Sequence, residues 1–318
     1  MNEVIKKIKK DSNLALMGPD SRIFYDKDLD KLIVDQSDEG MTESIANDWK
    51  VFCRDNDIPI NKILVLNNNP MVEREFLYSC DYYFMECKRV LRFGKYAFGK
   101  KQYSNYQDIN YDIKKEKIYN CLNNNIRAHR TFIFDGLKER KLLRYGFVSY
   151  RKEDVFLPKD KDITIPNWRW DTLIPDMVSK TYFNVVTECG LQPKSQSNPL
   201  GSDGCFITEK TCKALITQPF MVVGNYEILK YLKEGGFETY PELFDESYDL
   251  IENPQDRFNL ILDEIERLCN MDKTELEEIY KSVLWKVAHN RRIILNFEKD
   301  EFAYKYFSEL KPAGNLKR

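Results

Sequence analysis

The first seventy residues alternate short apolar runs with polar turns. Short apolar or aromatic runs between turn-forming residues predict β-strands, and a longer stretch with helical spacing, headed by Thr42 as N-cap, predicts a helix. The predicted strands are residues 14–17, 22–25, 32–34 and 62–66, and the predicted helix is 41–55. This order of strand, helix and strand favours an α/β domain with a parallel sheet.

The second half repeats the alternation with clearer boundaries. Apolar runs lie at 119–122 and 142–150, predicted strands at 181–187 and 220–223, and predicted helices at 126–139, 208–215, 226–235, 254–269 and 273–297. Residues 104–120 and 151–176 lack a clear period and predict irregular connections. The pattern therefore predicts an α/β fold of two Rossmann-type domains that face a ligand cleft and are closed by C-terminal helices.

The composition is that of a globular protein and excludes several function classes. Hydrophobic residues make up 42% of the 318 residues and charged residues 31%, which excludes a disordered chain. The net charge of −2 excludes a chain that binds polyanions over its whole surface, but not a local basic patch. None of the eight cysteines has CxxC spacing and there are two histidines, so we expect reduced, mostly buried thiols and no Cys/His zinc site.

The sequence also carries expectations about location. It has neither an apolar stretch typical of a signal peptide nor the ~20 apolar residues of a membrane span. We therefore expect a soluble, cytoplasmic protein with no membrane span. Abundant Asn, Lys, Ile, Tyr and Asp indicate an AT-rich coding sequence, which is compatible with a bacterial or phage (viral) setting.

The segment from Glu188 to Lys210 is the main candidate for chemistry. A predicted strand ends at Glu188, a loop follows, and a predicted helix opens at Thr208, Glu209 and Lys210. A helix N-terminus offers N–H groups and a positive dipole end that suit a diphosphate. The positive charge of Lys210 is unfavourable at this end of the helix, and binding a phosphate would be a reason for its presence. A carboxylate such as Glu209 can bind ribose hydroxyls. The alternative is a solvated helix start with an ordinary Glu–Lys pair.

The order of these parts is similar to the donor-site motif of the α-1,3-fucosyltransferase-like family. The shared parts are a strand, Glu188, a loop, the aromatic-x-Thr-Glu-Lys sequence at 206–210, a helix, and a Pro-Phe strand that ends at Gly224. The resemblance covers about residues 180–250 and does not cover the acceptor half. It implies a GT-B fold and inverting transfer from a nucleotide-diphosphate sugar, without a metal or another cofactor.

The resemblance also implies roles for single residues and for the domains. By position, Glu209 resembles the ribose-binding carboxylate and Lys210 a diphosphate contact next to Thr208, while Tyr182 and Glu188 fall on the family's strand and the acidic residue at its end. The implied division is an N-terminal acceptor-side domain at 1–118, a donor domain at 119–297, and a tail at 298–318 that returns toward the first domain.

A second group of polar residues lies upstream, around Arg127, His129 and Arg130. In the same family an arginine that begins a helix contacts the donor phosphates. Arg127 and Arg130 are three residues apart and share a helical face, and the guanidinium group suits phosphate geometry. Either arginine is a candidate phosphate ligand, and the alternative is a solvated basic helix edge. His129 is either a base or a structural residue.

The catalytic base has no recognisable motif. Inverting transfer needs a carboxylate that deprotonates the acceptor hydroxyl, and in the family this group comes from the N-terminal domain. Glu73, Glu75 and Glu86 follow apparent strand ends, and Glu86 lies beside aromatics that would raise its pKa. We name Glu86 and Glu73 as candidate bases; the alternative for each is an ordinary surface or ion-paired glutamate.

Two further patterns leave the acceptor and the activity open. Asp-x-Asp pairs at 26–30, 55–57 and 160–162 resemble metal ligands, but in a chain rich in Asp we expect them by chance. Residues 88–101 interleave cations with aromatics and glycines, which suits DNA as well as a glycan acceptor or a solvated edge. The alternatives to a transferase with a glycan acceptor are therefore a phage enzyme that glycosylates a hydroxylated DNA base, and a non-catalytic nucleotide-binding protein.

Overall fold

The computed structural model describes residues 2–10, 22–35, 43–67, 77–79, 105–123, 126–150, 174–188 and 207–296. The strands are β1 (Arg22–Asp26), β2 (Lys31–Asp35), β3 (Ile63–Asn67), β4 (Leu77–Ser79), β5 (Tyr119–Asn123), β6 (Gly146–Tyr150), β7 (Phe183–Thr187) and β8 (Phe220–Val223). The α-helices are α1 (Asn2–Lys10), α2 (Glu43–Asp55), α3 (Ala128–Glu139), α4 (Pro175–Ser179), α5 (Glu209–Thr217), α6 (Ile228–Glu234), α7 (Pro254–Asn270) and α8 (Lys273–Asn296).

The N-terminal sheet has the order β1-β2-β3-β4. β1 and β2 form an antiparallel hairpin, whereas β2, β3 and β4 are parallel. The helix α2 connects β2 to β3 and buries Trp49 and Phe52 against strand residues such as Val34 and Val65. The predicted strands at 22–25, 32–34 and 62–66 are confirmed, as is the predicted helix at 41–55 from Glu43 onward. Its predicted N-cap, Thr42, and the predicted strand at 14–17 lie outside the described residues.

The tip of the β1–β2 hairpin explains the first Asp-x-Asp pairs. Asp26 accepts hydrogen bonds from the backbone N–H groups of Asp28 and Leu29, both at 3.0 Å, which forms a side-chain-stabilised turn. Asp30 closes the turn with a positive φ of 52°, and its carboxylate contacts Tyr25 and Lys62. These aspartates are therefore engaged in the turn and its contacts.

The C-terminal sheet has the order β6-β5-β7-β8 and is parallel throughout. Its strands carry buried apolar runs such as Phe220–Val223, as expected for a sheet that is covered on both faces. α3 packs on α7, and α5 packs on α8. Gly136 lies at the contact between α3 and α7, where a Cβ atom would lie 2.3 Å from Leu262 Cδ1 and the leucine side chain would have to shift.

The helices of this half follow the sequence prediction with small shifts. α3, α5, α7 and α8 lie within two residues of the predicted bounds. The helix predicted at 226–235 begins only at Ile228, because Glu227 has a left-handed conformation with φ 60°. The run at 142–150 is divided into a 3-10 turn, Leu143–Tyr145, and the strand β6.

The residues before β5 already pack on the C-terminal sheet and its helices. Tyr111 donates a hydrogen bond to the Thr217 carbonyl at 2.6 Å and accepts one from Arg291 at 2.7 Å. The backbone N–H of Asn110 donates to Ser179 Oγ at 2.9 Å. Part of the segment placed at the end of the first domain therefore contacts the second α/β unit.

Candidate functional site

The strand order of the C-terminal sheet creates a topological switch point between β5 and β7. From β5 the chain passes through α3 to β6 on one side, and from β7 it passes to α5 and β8 on the other. In open parallel sheets, ligands bind outside the carboxyl ends of the strands at such a point. The residues that end β5 and β7 and begin α3 and α5 are therefore the candidate ligand site.

Glu188 follows β7 directly and is 1% exposed. One carboxylate oxygen, Oε1, accepts hydrogen bonds from the backbone N–H groups of Thr208 at 2.9 Å and Thr211 at 3.3 Å, and from the Thr211 hydroxyl. The other oxygen, Oε2, accepts one from the Thr208 hydroxyl at 2.6 Å. Glu188 therefore caps the first turn of α5.

The cap changes how α5 can serve a ligand. Thr208 is the N-cap, and its hydroxyl accepts from the Lys210 N–H at 3.4 Å. N–H groups that a helix N-terminus would offer to a phosphate are thus directed to Glu188 and Thr208. A ligand at this helix would have to be bound by side chains; Lys210, the second residue of α5, is half-buried.

The start of α3 is different. Its N-cap residue, Arg127, is exposed and has extended backbone angles, and no side chain among the described residues caps the helix. The positive end of the helix dipole and a guanidinium group therefore lie together at the carboxyl edge of the sheet. This combination suits an anionic group.

His129 and Arg130 in the first turn of α3 point toward the end of β7. His129 Nε2 lies 2.7 Å from the Glu188 carbonyl oxygen, and Arg130 Nη2 lies 3.2 Å and 3.3 Å from the carbonyl oxygens of Thr187 and Glu188. Both side chains are buried, at 2% and 3% exposure. They join α3 to the strand end that carries the cap of α5.

The environment of His129 keeps its imidazole neutral. Burial lowers the pKa of His129 to about 4, the Glu188 carbonyl acts in the opposite direction, and the charges of Arg130 and Arg127 lower the pKa further. Because a carbonyl oxygen only accepts, Nε2 carries the hydrogen in this contact. The described contact gives His129 a structural role, which was one of the two roles predicted for it.

Three residues complete the edge of the sheet and had not been singled out as site residues. Thr187 donates a hydrogen bond to the side-chain oxygen of Asn123 across β5 and β7, and Thr211 contributes to the Glu188 cap. Asn123 and Thr187 could have been found from the sequence, because each is a polar residue that ends an otherwise largely apolar strand. The Thr208-x-x-Thr211 spacing at a helix start is the signal for the third.

Gly224 follows β8 directly and lies beside this cap. A Cβ atom at Gly224 would lie 2.5 Å from Ile228 Cδ1 and 3.8 Å from Glu188 Cβ. Its carbonyl accepts a hydrogen bond from Arg257 Nε at 3.1 Å, and Arg257 is itself buried. A side chain at position 224 would therefore require the Ile228 side chain, at the start of α6, to shift.

The structure brings most of the predicted donor residues to one edge and leaves one apart. Arg127, Arg130, Glu188, Thr208 and Lys210 lie at the strand ends and helix starts of the switch point, and Glu209 is the first residue of α5. Tyr182 precedes β7, at the opposite edge of the sheet.

Tyr182 faces the protein core at that edge. Its ring meets Tyr280 edge-to-face at 5.3 Å between centroids. Burial, followed by a hydrogen bond with Glu277, raises the pKa of Tyr182 to about 12. Tyr182, which the motif assigned to the donor site, therefore packs in the core among the described residues.

Several predicted residues lie outside the described residues: the candidate bases Glu73 and Glu86, Glu75, the basic segment 88–101 and the Asp-x-Asp pair at 160–162. In the described part of the chain, no three His, Cys, Asp or Glu side chains cluster in a way that could hold a metal ion. Among the same residues no helix is long and apolar enough to cross a membrane.

The fold and the site define an α/β protein with a parallel C-terminal sheet and a switch-point edge of the kind that binds ligands. No family model matches the sequence, and no curated protein or solved structure is significantly similar to it. The function must therefore be argued from the residues at this edge.

Proposed function

We propose that this protein is a glycosyltransferase that binds the nucleoside diphosphate of a sugar donor at the switch point between β5 and β7. The proposal rests on one observation: polar residues from two separate segments of the chain lie at the same edge of the sheet. Arg127 and Arg130 at the start of α3 lie at the same sheet edge as Glu188, Thr208 and Lys210. The donor motif inferred from sequence thus coincides with the edge at which parallel α/β sheets bind ligands.

The two helix starts suit different parts of a donor. The N-terminus of α3, which no side chain of the described residues caps, and the exposed Arg127 suit the diphosphate, because the dipole and the guanidinium group both favour negative charge. Lys210, half-buried in the first turn of α5, supplies a second positive charge. Glu209, which precedes Lys210, is assigned to the ribose hydroxyls from the resemblance.

The proposed reaction is a single displacement with inversion. The acceptor oxygen attacks the anomeric carbon, the bond from that carbon to the diphosphate oxygen breaks, and the leaving diphosphate takes the electron pair. A carboxylate, for which Glu86 and Glu73 are the candidates, takes the proton of the acceptor hydroxyl. Positive charge at the diphosphate stabilises the leaving group as its charge grows.

A thermal-shift panel of GDP-, UDP-, ADP- and CMP-sugars tests donor binding. At a hundredfold excess over Kd a ligand stabilises the folded protein by about 2.7 kcal/mol, so a true donor raises Tm measurably. We expect one of the three nucleoside-diphosphate sugars to stabilise the wild type and the CMP-sugar, which has a single phosphate, to stabilise it less. Arg127→Ala and Lys210→Ala should lose most of that shift.

Two exposed cations in the same α/β unit serve as controls. Arg144→Ala removes an arginine just before β6, at the opposite sheet edge, and Lys138→Ala removes a lysine in the last turn of α3. Both variants should keep the full shift. Stabilisation by no member of the panel, or equal loss in the control variants, contradicts the proposal.

Transfer itself separates an enzyme from a nucleotide-binding protein without activity. With the stabilising donor, release of the free nucleoside diphosphate is measured with glycan and hydroxymethylated-DNA acceptors. Glu86→Gln or Glu73→Gln should abolish release and leave the thermal shift unchanged. Donor binding without release on any acceptor or in water favours the non-catalytic alternative.

A further inference from the structure

We propose that Glu188 is a positioning residue that fixes the first turn of α5 for donor binding and does not itself contact the donor. The inference rests on the proposed function, because it names how the same site is held in place. It differs from the role that the sequence motif implies, in which Glu188 belongs to the donor site as a binding residue.

The Glu188 carboxylate is buried and is hydrogen-bonded inside the protein through both oxygens. Glu188 is 1% exposed, and both of its oxygens accept hydrogen bonds from Thr208 and Thr211. A donor hydroxyl or amine that approached Glu188 would have to displace these bonds. An ionised carboxylate that is saturated by nearby N–H and O–H groups is strongly held where it is.

Glu188 also joins the end of β7 to three neighbouring elements: β8, α3 and α5. Its N–H donates to the Val223 carbonyl of β8 at 3.1 Å, its carbonyl accepts from His129 and Arg130 of α3, and its carboxylate caps α5. Glu188 therefore links the first turn of α5 to the first turn of α3 through hydrogen bonds. A shift of the α5 start would move Glu209 and Lys210 relative to Arg127.

The start of α5 depends on Glu188 for its hydrogen-bond acceptor. Without Glu188, the buried Thr208 and Thr211 groups would lose their acceptor, and the first helical turn would be free to fray or rotate. The loss of binding would then arise from a misplaced turn, and not from a lost contact to the ligand.

A double-mutant cycle distinguishes positioning from direct contact. The cycle compares wild type, Glu188→Gln, Thr211→Val and the double variant, using the best-binding member of the sugar-nucleotide panel in calorimetry well below Tm. We expect Glu188→Gln to weaken binding about tenfold, the size of one lost hydrogen bond to a charged group. In the Thr211→Val background the further loss should shrink to about twofold, because the two substitutions disturb the same turn.

A matched control tests whether replacing any buried carboxylate with an uncharged amide has the same effect as Glu188→Gln. Glu264 in α7 is also a buried carboxylate, 6% exposed, and accepts from the Asp245 N–H at 2.9 Å and from Arg267. Glu264→Gln should lower Tm but leave the affinity for the sugar nucleotide unchanged. Glu188→Gln should also accelerate amide exchange at 208–212 in the protein without nucleotide, whereas Glu264→Gln should not.

The outcomes separate this inference from the proposed function. No sugar-nucleotide binding by the wild type contradicts the proposed function, while exchange at 208–212 still tests the cap. Binding by the wild type with a full tenfold loss in both backgrounds shows that Glu188 acts independently of α5 and overturns the positioning role. Unchanged exchange at 208–212 in Glu188→Gln overturns it as well.

Discussion

The helices α3 and α5 both begin at the carboxyl edge of the C-terminal sheet, but their first turns are completed differently. α5 is capped from within the protein by Glu188 and Thr208. α3 has no side-chain cap within the described residues, and its N-cap is the exposed Arg127. Two helix starts that look equally suitable for a phosphate from the sequence therefore differ in what they can still bind.

We expect the two helix starts to contribute differently to folding stability and to nucleotide binding. A helix end whose N–H groups are already bonded contributes to the free energy of folding, whereas an open end beside a free cationic group can stabilise an added anion. We therefore expect the Glu188 and Thr208 cap of α5 to act mainly on stability, and on binding only through the position of Lys210. Arg127 at the start of α3 should act mainly on nucleotide binding.

The largest expected effect on stability comes from Glu188→Ala. It removes a buried acceptor of four hydrogen bonds, and we expect a loss of about 3 kcal/mol or more, because single bonds to charged groups contribute about 1.5–3 kcal/mol. Urea unfolding followed by circular dichroism measures this loss. Glu139→Ala, which removes an exposed glutamate from α3, is the control. A loss below about 1 kcal/mol would mean that the cap contributes little.

Because His129 lies in the first turn of α3 and is buried, we expect the free energy of unfolding to depend on pH. Its folded pKa of about 4 lies below the ordinary value of 6.5, so between these values the unfolded chain binds a proton that the folded protein does not. Stability is therefore complete above pH 6.5 and falls toward pH 4, by about 1.4 kcal/mol per pH unit.

The two histidines make this dependence testable. His129→Gln should remove most of the slope between pH 6.5 and 4, whereas His289→Gln should keep it. Urea unfolding at several pH values gives the slope, and imidazole proton resonances give the pKa of His129 directly. An imidazole at position 129 that titrates near pH 6.5 would be incompatible with its burial.

A smaller effect is expected at the N-cap of α5. Thr208→Ala removes the hydroxyl that accepts from Lys210 and donates to Glu188, and N-cap substitutions of this kind cost about 1–2 kcal/mol. Thr208→Ser keeps the hydroxyl and should restore most of the stability. Equal losses for both substitutions, measured by urea unfolding, would argue that the methyl group and not the hydroxyl matters.

The smallest effect on stability is expected at Arg127. Its side chain is exposed, so Arg127→Ala should change the free energy of unfolding by no more than about 0.5 kcal/mol. The same substitution should remove most of the nucleotide-induced thermal shift. A variant that unfolds easily but still binds the nucleotide would reverse the contrast between the two helix starts.

The sequence predicted the α/β class and most elements, because apolar runs and their periodicity reflect burial. It also predicted that helices begin close to Arg127 and Thr208, just after strands, because polar side chains between apolar runs are visible in the pattern. It did not predict that Glu188 would be enclosed by Thr208 and Thr211, since hydrogen bonds across twenty residues depend on the fold. The sequence also did not predict that Tyr182 would lie at the opposite edge of the sheet, because motif order does not report which sheet edge a residue occupies.

The most direct test of the contrast is the amide chemical shifts of the folded protein during titration with the best-binding nucleoside diphosphate. We expect the largest changes at Ala128, His129 and Arg130, which form the open start of α3. The amides of Thr208 and Thr211 should move little, because Glu188 already accepts their hydrogen bonds. Large changes at Thr208 and Thr211 with an unaffected α3 start would contradict the proposed placement of the diphosphate.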